Sequence, residues 1–197
     1  MLHWPPSRAE RQAVLDRQPE LEGDLVRLRP LRQSDWEALF AVACDPLIWA
    51  QHPAHDRWQE PVFRAFFDDA LAQGGALAVI DGASGAIIGS SRFQGLDDAA
   101  DGSVEIGWTF LARPCWGGGY NHDLKRLMLR HALASVAECR FMVGENNIRS
   151  RRALERIGAR LTDRREERIM AGGAAVPHLT YVITREDFAR GPLSQSR

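Results

Sequence analysis

The spacing of hydrophobic and polar positions along the chain switches several times between a period of two and a period near 3.6. Strict alternation in "DLVRLRPL" is typical of a half-buried strand, whereas the apolar spacing that follows it predicts a helix. The predicted helices cover 34–43, 61–71, 120–136 and 148–157, and the predicted strands cover 24–31, 76–81, 86–93, 102–111, 139–144, 160–170 and 176–185. Helices and strands interleave, with three strands in succession in the middle, so we predict a mixed α/β sheet.

The two ends of the chain differ from the part between them. Residues 1–22 are polar and contain two prolines, so we interpret them as an N-terminal arm. The alternating elements run from 23 to 187, which we predict to be one domain with a sizeable core. Residues 188–197 are predicted to be a loose C-terminal tail.

The composition is that of an ordinary soluble globular protein, with 45% hydrophobic and 26% charged residues. A formal net charge of −1 gives no attraction to nucleic acid or to anionic membranes. No apolar run approaches the roughly 20 residues that cross a bilayer, and the N-terminus lacks the apolar core of a secretory signal. The three scattered cysteines form neither a disulfide framework nor a zinc pattern. We therefore expect a cytoplasmic protein that uses no metal.

Three consecutive glycines stand directly before an amphipathic helix in the stretch "RPCWGGGYNHDLKRLML" (113–129). The first N–H groups of a helix have no internal partner and lie at the positive end of the helix dipole. Glycines there let an anion such as a pyrophosphate reach those N–H groups. The alternative is a turn that only lets a strand run closely into a helix. Neither the P-loop pattern nor the dinucleotide-binding pattern matches.

The order of motifs resembles that of a known family. The strand "VEIGWTFL", the loop "ARPCWGGGY", a helix, a strand and "NNIRSRRALERIGA" follow one another, and "VRLRPLRQSDWEAL" precedes them. In this order the chain resembles the GCN5-related N-acetyltransferase (GNAT) family, and within it the branch of ribosomal-protein N-terminal acetyltransferases (RimJ/RimL-like). The resemblance runs from about residue 25 to residue 183. It implies an acyl-CoA N-acyltransferase fold of the α/β (α+β) class, with a mixed, largely antiparallel sheet flanked by helices.

The resemblance also implies acetyl-CoA as cosubstrate and a set of residues that bind it. The family's pyrophosphate loop falls on the three glycines, and its Asn-x-x-Ser signature falls on the last helix. The end of the central strand would pair with the pantetheine arm and offer an N–H group to the oxyanion. The implied cosubstrate-binding residues are Phe110, Leu111, Trp116, Gly117, Gly118, Gly119, Tyr120, Asn121, Asn147 and Arg152.

Acetyl transfer needs a proton acceptor, because a protonated amine cannot attack a thioester. The glutamate at the matching position of family members relays a proton through water, which implies this role for Glu105; the alternative is an ordinary strand glutamate. On the strand pattern it faces away from Val104, Ile106, Trp108 and Phe110. Many members use a tyrosine as the acid, but Leu154 stands at that position. Ser150 is the hydroxyl left to assist the departing thiolate, or it only stabilises the start of its helix.

Other candidates are less specific. The segment "PLIWAQHPAHDRW" corresponds to the acceptor wall of the family, so Trp49, His52 and Trp58 are predicted to line the acceptor pocket. His-x-x-His alone is poor evidence for a metal, and Cys115 is predicted to pack rather than react. Eight arginines lie between 149 and 168, and we expect most of them to be solvated, with phosphate or RNA contacts as alternatives.

These observations predict an acetyl-CoA-dependent N-acetyltransferase that acts on a primary amine, either a protein N-terminus or a small amine. The alternative is a non-catalytic coenzyme A sensor, or an RNA- or ribosome-associated binding module on the same fold. We expect acetyl-CoA and an amine as partners, with no membrane or nucleic acid; a homodimer is left open.

Overall fold

The computed structural model describes residues 14–97, 102–170 and 173–194. Most of the predicted N-terminal arm lies outside these ranges, as do parts of the turns "DDAADG" and "AGGAA". The strands are β1 (Leu21–Glu22), β2 (Val26–Pro30), β3 (Ala76–Asp81), β4 (Ile87–Asp97), β5 (Ser103–Leu111), β6 (Glu138–Gly144), β7 (Arg160–Ile169) and β8 (Ala175–Thr184). The helices are α1 (Trp36–Ala43), α2 (Pro46–Trp49), α3 (Glu60–Gln73), α4 (Tyr120–Leu133), α5 (Ile148–Arg156) and α6 (Arg185–Arg190), with short 3₁₀ turns at Gln33–Asp35 and Arg113–Cys115.

The strands form one sheet in the order β1-β2-β3-β4-β5-β6-β8-β7. Every neighbouring pair is antiparallel except β5 and β6, which are parallel. The prediction of a mixed, largely antiparallel sheet flanked by helices is confirmed. None of the helices in the described part of the chain has the length and apolar character that a bilayer crossing requires.

Each face of the sheet has its own hydrophobic core. On one face α4 packs with α5, and α4 is buried on nearly all of its sides. On the other face α1, α2 and α3 enclose an aromatic cluster that includes Trp36, Trp49, Phe63 and Phe110. The sequence pattern predicts that α3 buries Val62, Phe66 and Phe63. Of these only Phe63 is fully buried, in a row with Phe67 and Ala70 at i, i+4 and i+7 spacing, and the other two are half-buried.

The sheet opens in its middle. β5 and β6 pair only at Ser103↔Glu138, Val104↔Cys139 and Glu105↔Arg140, although both strands continue beyond these residues. Beyond this point each strand keeps its partner on the far side, β4 for β5 and β8 for β6. The family resemblance further predicts a sheet splayed between these two strands, and the short pairing confirms it. The gap between them positions the candidate site.

A β-bulge changes the facing of β5 beside this gap. Trp108 has a φ of 53°, and the register with β4 shifts between Ser90 and Arg92. Ile106 before the bulge belongs to one core, and Phe110 after it belongs to the other. The prediction that Val104, Ile106, Trp108 and Phe110 share one face was therefore wrong, because an extra residue reverses the alternation.

Three short elements, β1, α2 and α6, were not predicted; α2 lies in a segment expected to be irregular. Leu15 and Leu193, in the predicted arm and tail, are both buried in the core on the α4 face. The predicted domain limits of 23 and 187 stay a prediction.

Candidate active site

Two connected cavities open where β5 and β6 separate. The larger has a volume of about 740 Å³ and runs to the glycine loop at the start of α4. The smaller has a volume of about 150 Å³ and lies deeper between the splayed strands. Seven residues line both, namely Trp49, His52, Thr109, Asn121, Asn147, Ser150 and Ala153. Their shared wall is where groups entering from the two sides would meet.

The three glycines shape one end of the larger cavity. Gly117 has a φ of 74°, which an L side chain rarely adopts, and a Cβ there would meet nothing within 4 Å. A Cβ on Gly118 would likewise point into nearly open space, with Tyr120 at 3.7 Å, whereas one on Gly119 would come within 2.8 Å of Leu25. Gly119 thus serves packing. Gly117 and Gly118 leave free space beside the N–H groups that begin α4.

Positive charge from α5 lines this end of the cavity. Arg149 and Arg156 both border the larger cavity. The Arg149 guanidinium lies 4.2 Å from the centre of the Trp116 ring and donates to the carbonyl oxygens of Leu47 and Ile48. These cations, the glycines and the helix terminus together suit a chain of phosphates.

The structure brings most of the predicted residues together. Those lining the cavities are Trp49, His52, Phe110, Leu111, Trp116, Gly117, Gly118, Gly119, Asn121, Asn147 and Ser150. Four predicted residues, Glu105, Tyr120, Arg152 and Trp58, do not line them. The Tyr120 hydroxyl donates to Asp81, and Arg152 and Trp58 are exposed. Arg149 and Arg156 occupy the position toward the cavity that the sequence assigned to Arg152.

Asn147 and Ser150 define the start of α5. The Asn147 side-chain oxygen caps the helix by accepting from the Ser150 N–H at 3.2 Å. Ser150 lines the shared wall without being the cap itself, because the capping group is the asparagine. The apolar side chain of Leu154 lies one turn later and borders the smaller cavity.

The Glu105 carboxylate is engaged elsewhere. It accepts a hydrogen bond from Arg168 of β7 at 2.9 Å, and its side chain is only 13% exposed. This ion pair joins β5 to β7, and the Arg168 guanidinium also lies 5.9 Å from the centre of the Trp108 ring, on the open side of the last β5–β6 pair. Glu105 itself is not among the residues that line the two cavities, although the nearby Gly107 is.

Lys125 is a site residue that the sequence analysis missed. It is on α4, borders the smaller cavity and is 4% exposed. Its Nζ donates to the Thr109 hydroxyl at 2.7 Å, and the Phe141 ring lies 5.5 Å away. Burial lowers the pKa of Lys125 to about 7. A signal was present in the sequence, because this is the only lysine of the chain and it interrupts an apolar helix.

A second missed residue, Arg57, borders the smaller cavity beside the predicted His52. The Arg57 guanidinium lies 4.6 Å from the Phe66 ring and 5.3 Å from the Trp49 ring. Burial lowers the pKa of Arg57 to about 10, so it stays charged at neutral pH. Burial and then the charge of Arg57 lower the pKa of His52 to about 3, which keeps this imidazole neutral.

The cysteines and acidic groups offer no competing chemistry among the described residues. Burial raises the pKa of Cys115, as expected for a packing residue. Within the described ranges no cluster of three or more His, Cys, Asp or Glu side chains could hold a metal ion. The site is therefore built from glycines, amides, hydroxyls, aromatic rings and cations.

Comparison with known proteins gives a consistent picture. The model of the acetyltransferase (GNAT) domain matches residues 26–160. A proposed acetyltransferase from T. thermophilus is 27% identical, covers 86% of this chain and 90% of its own, and superposes with a TM-score of 0.71. A GCN5-related N-acetyltransferase from Brucella melitensis is 22% identical. The match covers 94% of this chain and 85% of the Brucella chain, with a TM-score of 0.69. Mycobacterium smegmatis RimJ, solved with CoA-disulfide, is 20% identical, with 93% of each chain covered and a TM-score of 0.66. No curated protein matches the sequence significantly.

Proposed function

The chain belongs to the GNAT acetyltransferase family, and from this premise we propose that it transfers the acetyl group of acetyl-CoA directly to a primary amine. The acceptor is a protein N-terminus or a small amine. The observation that carries the proposal is the continuous cavity from the glycine loop to the gap between β5 and β6. One end of this cavity suits phosphates, and the other end suits a small reacting group.

The residues present fit coenzyme A. Free space above Gly118 would receive the pyrophosphate beside the α4 N-terminus, and Arg149 and Arg156 would neutralise phosphate charge. Phe110 and Leu111 border the cavity at the end of β5, where backbone groups facing the gap can pair with an extended amide arm. When bound, the cosubstrate supplies the activated acetyl thioester. Asn147 holds the start of α5 against the same wall.

The roles of Glu105 and Ser150 remain proposals. Ser150 on the shared wall would donate a hydrogen bond to the departing sulfur, a contribution of about 1 kcal/mol. Glu105 would act on the amine only through water, since its carboxylate is paired with Arg168. Trp49 and His52 would contact the acceptor from the α2 side.

A non-catalytic coenzyme A sensor is the second candidate. It is favoured by one observation: the apolar Leu154 borders the smaller cavity where many relatives have an acidic tyrosine. A ribosomal-protein N-terminus as acceptor, a cytoplasmic location and a homodimer are further proposals that rest on the family resemblance.

Two measurements test the proposal, namely thermal unfolding with acetyl-CoA and thiol release across a panel of amines. A ligand at 100 times its Kd stabilises the native state by about 2.7 kcal/mol, which is roughly 5–10 °C in Tm for a domain of this size. Gly118→Asp should lose most of this shift, because a carboxylate would lie where phosphate binds. Gly118→Asn, which has the same shape without the charge, is the matched control and should keep more of it. An undiminished shift in Gly118→Asp would contradict the loop assignment, and a shift without thiol release would favour the sensor.

A further inference from the structure

The single lysine of the chain differs from its arginines in being able to exchange a proton. The chain has 25 lysines and arginines in total, and Lys125 is the only lysine among them. Arginine keeps its proton under all ordinary conditions, whereas a buried lysine can lose and regain one near neutral pH. Among the lysines and arginines, the one able to exchange a proton near neutral pH thus borders the smaller cavity.

The surroundings of Lys125 favour proton exchange over a structural ion pair. Its hydrogen-bond partner is the neutral hydroxyl of Thr109, which in turn shares a hydrogen bond of 2.7 Å with Ser91. Thr109 lines both cavities and follows the bulge of β5 directly. A proton that leaves a group on the shared wall therefore reaches Lys125 through at most one hydroxyl.

We propose that Lys125 carries the proton of the transfer reaction that the proposed function describes. The neutral Nζ accepts the proton released by the attacking amine nitrogen as the new C–N bond forms. The resulting ammonium returns it to the sulfur as the C–S bond breaks, so one proton moves from nitrogen to sulfur and no other reactant is needed. Through its hydrogen bond to Thr109, Lys125 also fixes the position of a side chain on the shared wall, where the thioester would lie.

Several titratable or charged groups face Lys125 across the site. They are Cys139 on β6, Arg57 and His52 from the segment between α2 and α3, and His178 on β8. His52 is neutral at all working pH values because its pKa is about 3. Burial raises the pKa of Cys139 well above its usual value. An inflection in rate near pH 7 would therefore point to the lysine rather than to either of these two groups.

The single lysine allows a direct test that does not depend on catalysis. Protein labelled with ¹³C at lysine Cε gives one lysine signal, whose shift is followed from pH 5 to pH 11 with and without coenzyme A. We expect a midpoint within about one unit of 7, because burial disfavours the charged form. A midpoint above 10 would overturn the proposal even if the protein is an active acetyltransferase.

The second test measures kcat and its pH dependence in Lys125 variants. Lys125→Met and Lys125→Arg should each lower kcat about a hundredfold, as expected for loss of an acid–base group, and should abolish the inflection near pH 7. Lys125→Arg keeps the charge but cannot release a proton. An acetyl-CoA thermal shift like that of the wild type would show that both variants fold and bind. Wild-type kcat in Lys125→Arg would mean that only the charge matters, and the proposal would be wrong. Absence of transfer by the wild type would instead count against the proposed function.

A separate observation concerns the acceptor. None of the described residues that line either cavity is an aspartate or a glutamate. Arg57 borders the smaller cavity only, whereas Arg149 and Arg156 border the larger cavity only. The positive charge of Arg57 at the deep end, which is the smaller cavity, is therefore separate from the charge of Arg149 and Arg156, which suits phosphates.

A second buried arginine lies behind this deep end. Arg92 is 1% exposed, and its Nε and Nη2 atoms have no hydrogen-bond partner among the described residues. Its Nη1 donates to Asp69 and Gln94, and the guanidinium lies 4.8 Å from the Trp108 ring and 5.9 Å from the Phe66 ring. Phe66 thus lies between two guanidinium groups, and Arg92 lowers the pKa of Arg57 by repulsion. Asp69 pairs with Arg92, whereas Arg57 makes no ion pair within 4 Å among the described residues and has only the negative charge of Asp56 near it.

From this imbalance we infer that the acceptor amine carries a carboxylate, which Arg57 binds at the edge of the smaller cavity. This inference rests on the proposed function and narrows its acceptor class. A polyamine would place further cations beside Arg57 and Arg92 with no carboxylate on the cavity wall to receive them. A carboxylate would gain a charge-assisted hydrogen bond from Arg57 and supply the ion-pair partner that this guanidinium lacks.

Matched acceptors test this inference, with kcat/KM measured by thiol release. The pairs are Asp-Ala-Ala-amide against Asn-Ala-Ala-amide and free glycine against glycinamide, so that only one member of each pair carries a carboxylate, with spermidine as the cationic probe. We expect a preference of about tenfold or more for the acidic member of at least one pair, the size of a charged hydrogen bond. The pair that shows it distinguishes a peptide N-terminus from a free amino acid. Equal rates within both pairs, or a preference for spermidine, would overturn the inference.

Variants assign the preference to its residue. Arg57→Gln should abolish it mainly through KM, and Arg57→Lys should keep part of it. The matched control is Arg64→Gln, because Arg64 also stacks on a tryptophan, 3.6 Å from the Trp36 ring, but lies on the surface. A preference that survives Arg57→Gln would contradict the assignment. Loss of thiol release with every acceptor in the wild type would count against the proposed function instead.

Discussion

Lys125 illustrates how position sets the properties of a single residue. Its folded pKa of about 7 lies below the usual value of 10.5. Between these pH values the unfolded chain holds a proton that the folded chain has released. Stability therefore rises with pH across this range, and the cost of burying the charge is greatest below pH 7.

Replacing this lysine should stabilise the protein at low pH. Lys125→Met removes the buried charge while keeping a long apolar chain, so we expect a gain of about 3 kcal/mol at pH 6, or roughly 5–10 °C in Tm. The gain should shrink steadily toward pH 10. Thermal unfolding of both proteins at pH 6, 8 and 10 checks this. A Tm difference that does not change with pH would show that the pKa of Lys125 is the same in the folded and the unfolded chain, which would contradict the lowered pKa.

The pH dependence of the rate in Glu105 and Ser150 variants tests whether either residue moves a proton. Ser150→Ala should lower the rate about tenfold or less at every pH, since one hydrogen bond is lost. For Glu105→Gln we also expect a loss that does not vary with pH, because the carboxylate holds Arg168 and lies off the cavity wall. Rates from pH 6 to 9.5 decide the matter. A Glu105→Gln deficit that is largest near neutral pH would identify Glu105 as the base.

Single residues show where sequence reasoning succeeds and where it stops. The glycines were predictable, because local backbone chemistry alone requires them at a phosphate-binding helix start. Lys125, Arg57 and Arg92 were not, because their importance comes from burial and from neighbours far along the chain. The lone lysine was visible in the composition, but only the fold reveals that it borders a cavity.

Among the elements, α4 is tied to β2 by one carboxylate. Asp123 in the first turn of α4 accepts from the N–H groups of Leu25 and Val26 at 2.8 and 3.1 Å. Its other oxygen accepts from Arg126 at 2.7 Å, and Arg126 also donates to the exposed Asp24. These bonds hold the glycine loop next to the edge of the sheet.

Substitutions at Asp123 and Asp24 compare the contribution of the Asp123 clamp, the set of bonds that joins α4 to β2, with that of an ordinary surface charge. Asp123→Asn should cost about 3 kcal/mol in the free energy of unfolding, because it leaves a buried guanidinium poorly paired. Asp24→Asn, the matched control, should cost under about 1 kcal/mol. The pKa of Asp123 is lowered in the fold, so its contribution is present above the usual carboxyl pKa and is lost as the pH falls through the folded value. Urea unfolding of both variants at pH 7 measures the costs, and equal costs would contradict the clamp.

The order of the elements was largely predictable, but their facing was not. Seven of the eight strands followed from alternation and turn residues, since these signals are local. The bulge at Trp108 escaped prediction, because no residue in "VEIGWTFL" requires a positive φ there. One extra residue reversed the facing of Phe110 and moved it to the other core.

At the scale of the whole molecule, the sheet consists of two parts, β1 to β5 and β6 with β8 and β7, joined through three residue pairs. The core on the α4 face contains residues of both parts, for example Leu77 of β3 and Phe141 of β6. The separation beyond Glu105 follows from the different partners that β5 and β6 keep on their far sides.

Because β5 and β6 pair at only three positions, the backbone amides of β5 beyond them can be used to detect ligand binding. Amides of residues 106–111 that point away from β4 have no strand opposite them, so in the free protein they should exchange with deuterium quickly despite lying in the middle of a sheet. Bound coenzyme A should slow their exchange at least tenfold, while amides paired with β4 change little. Residue-resolved exchange with and without coenzyme A measures this. Protection already present in the free protein would mean that the gap closes in solution. With coenzyme A, the protection of these amides would report how far the centre of the fold is occupied by ligand, and it requires neither turnover nor an attached probe.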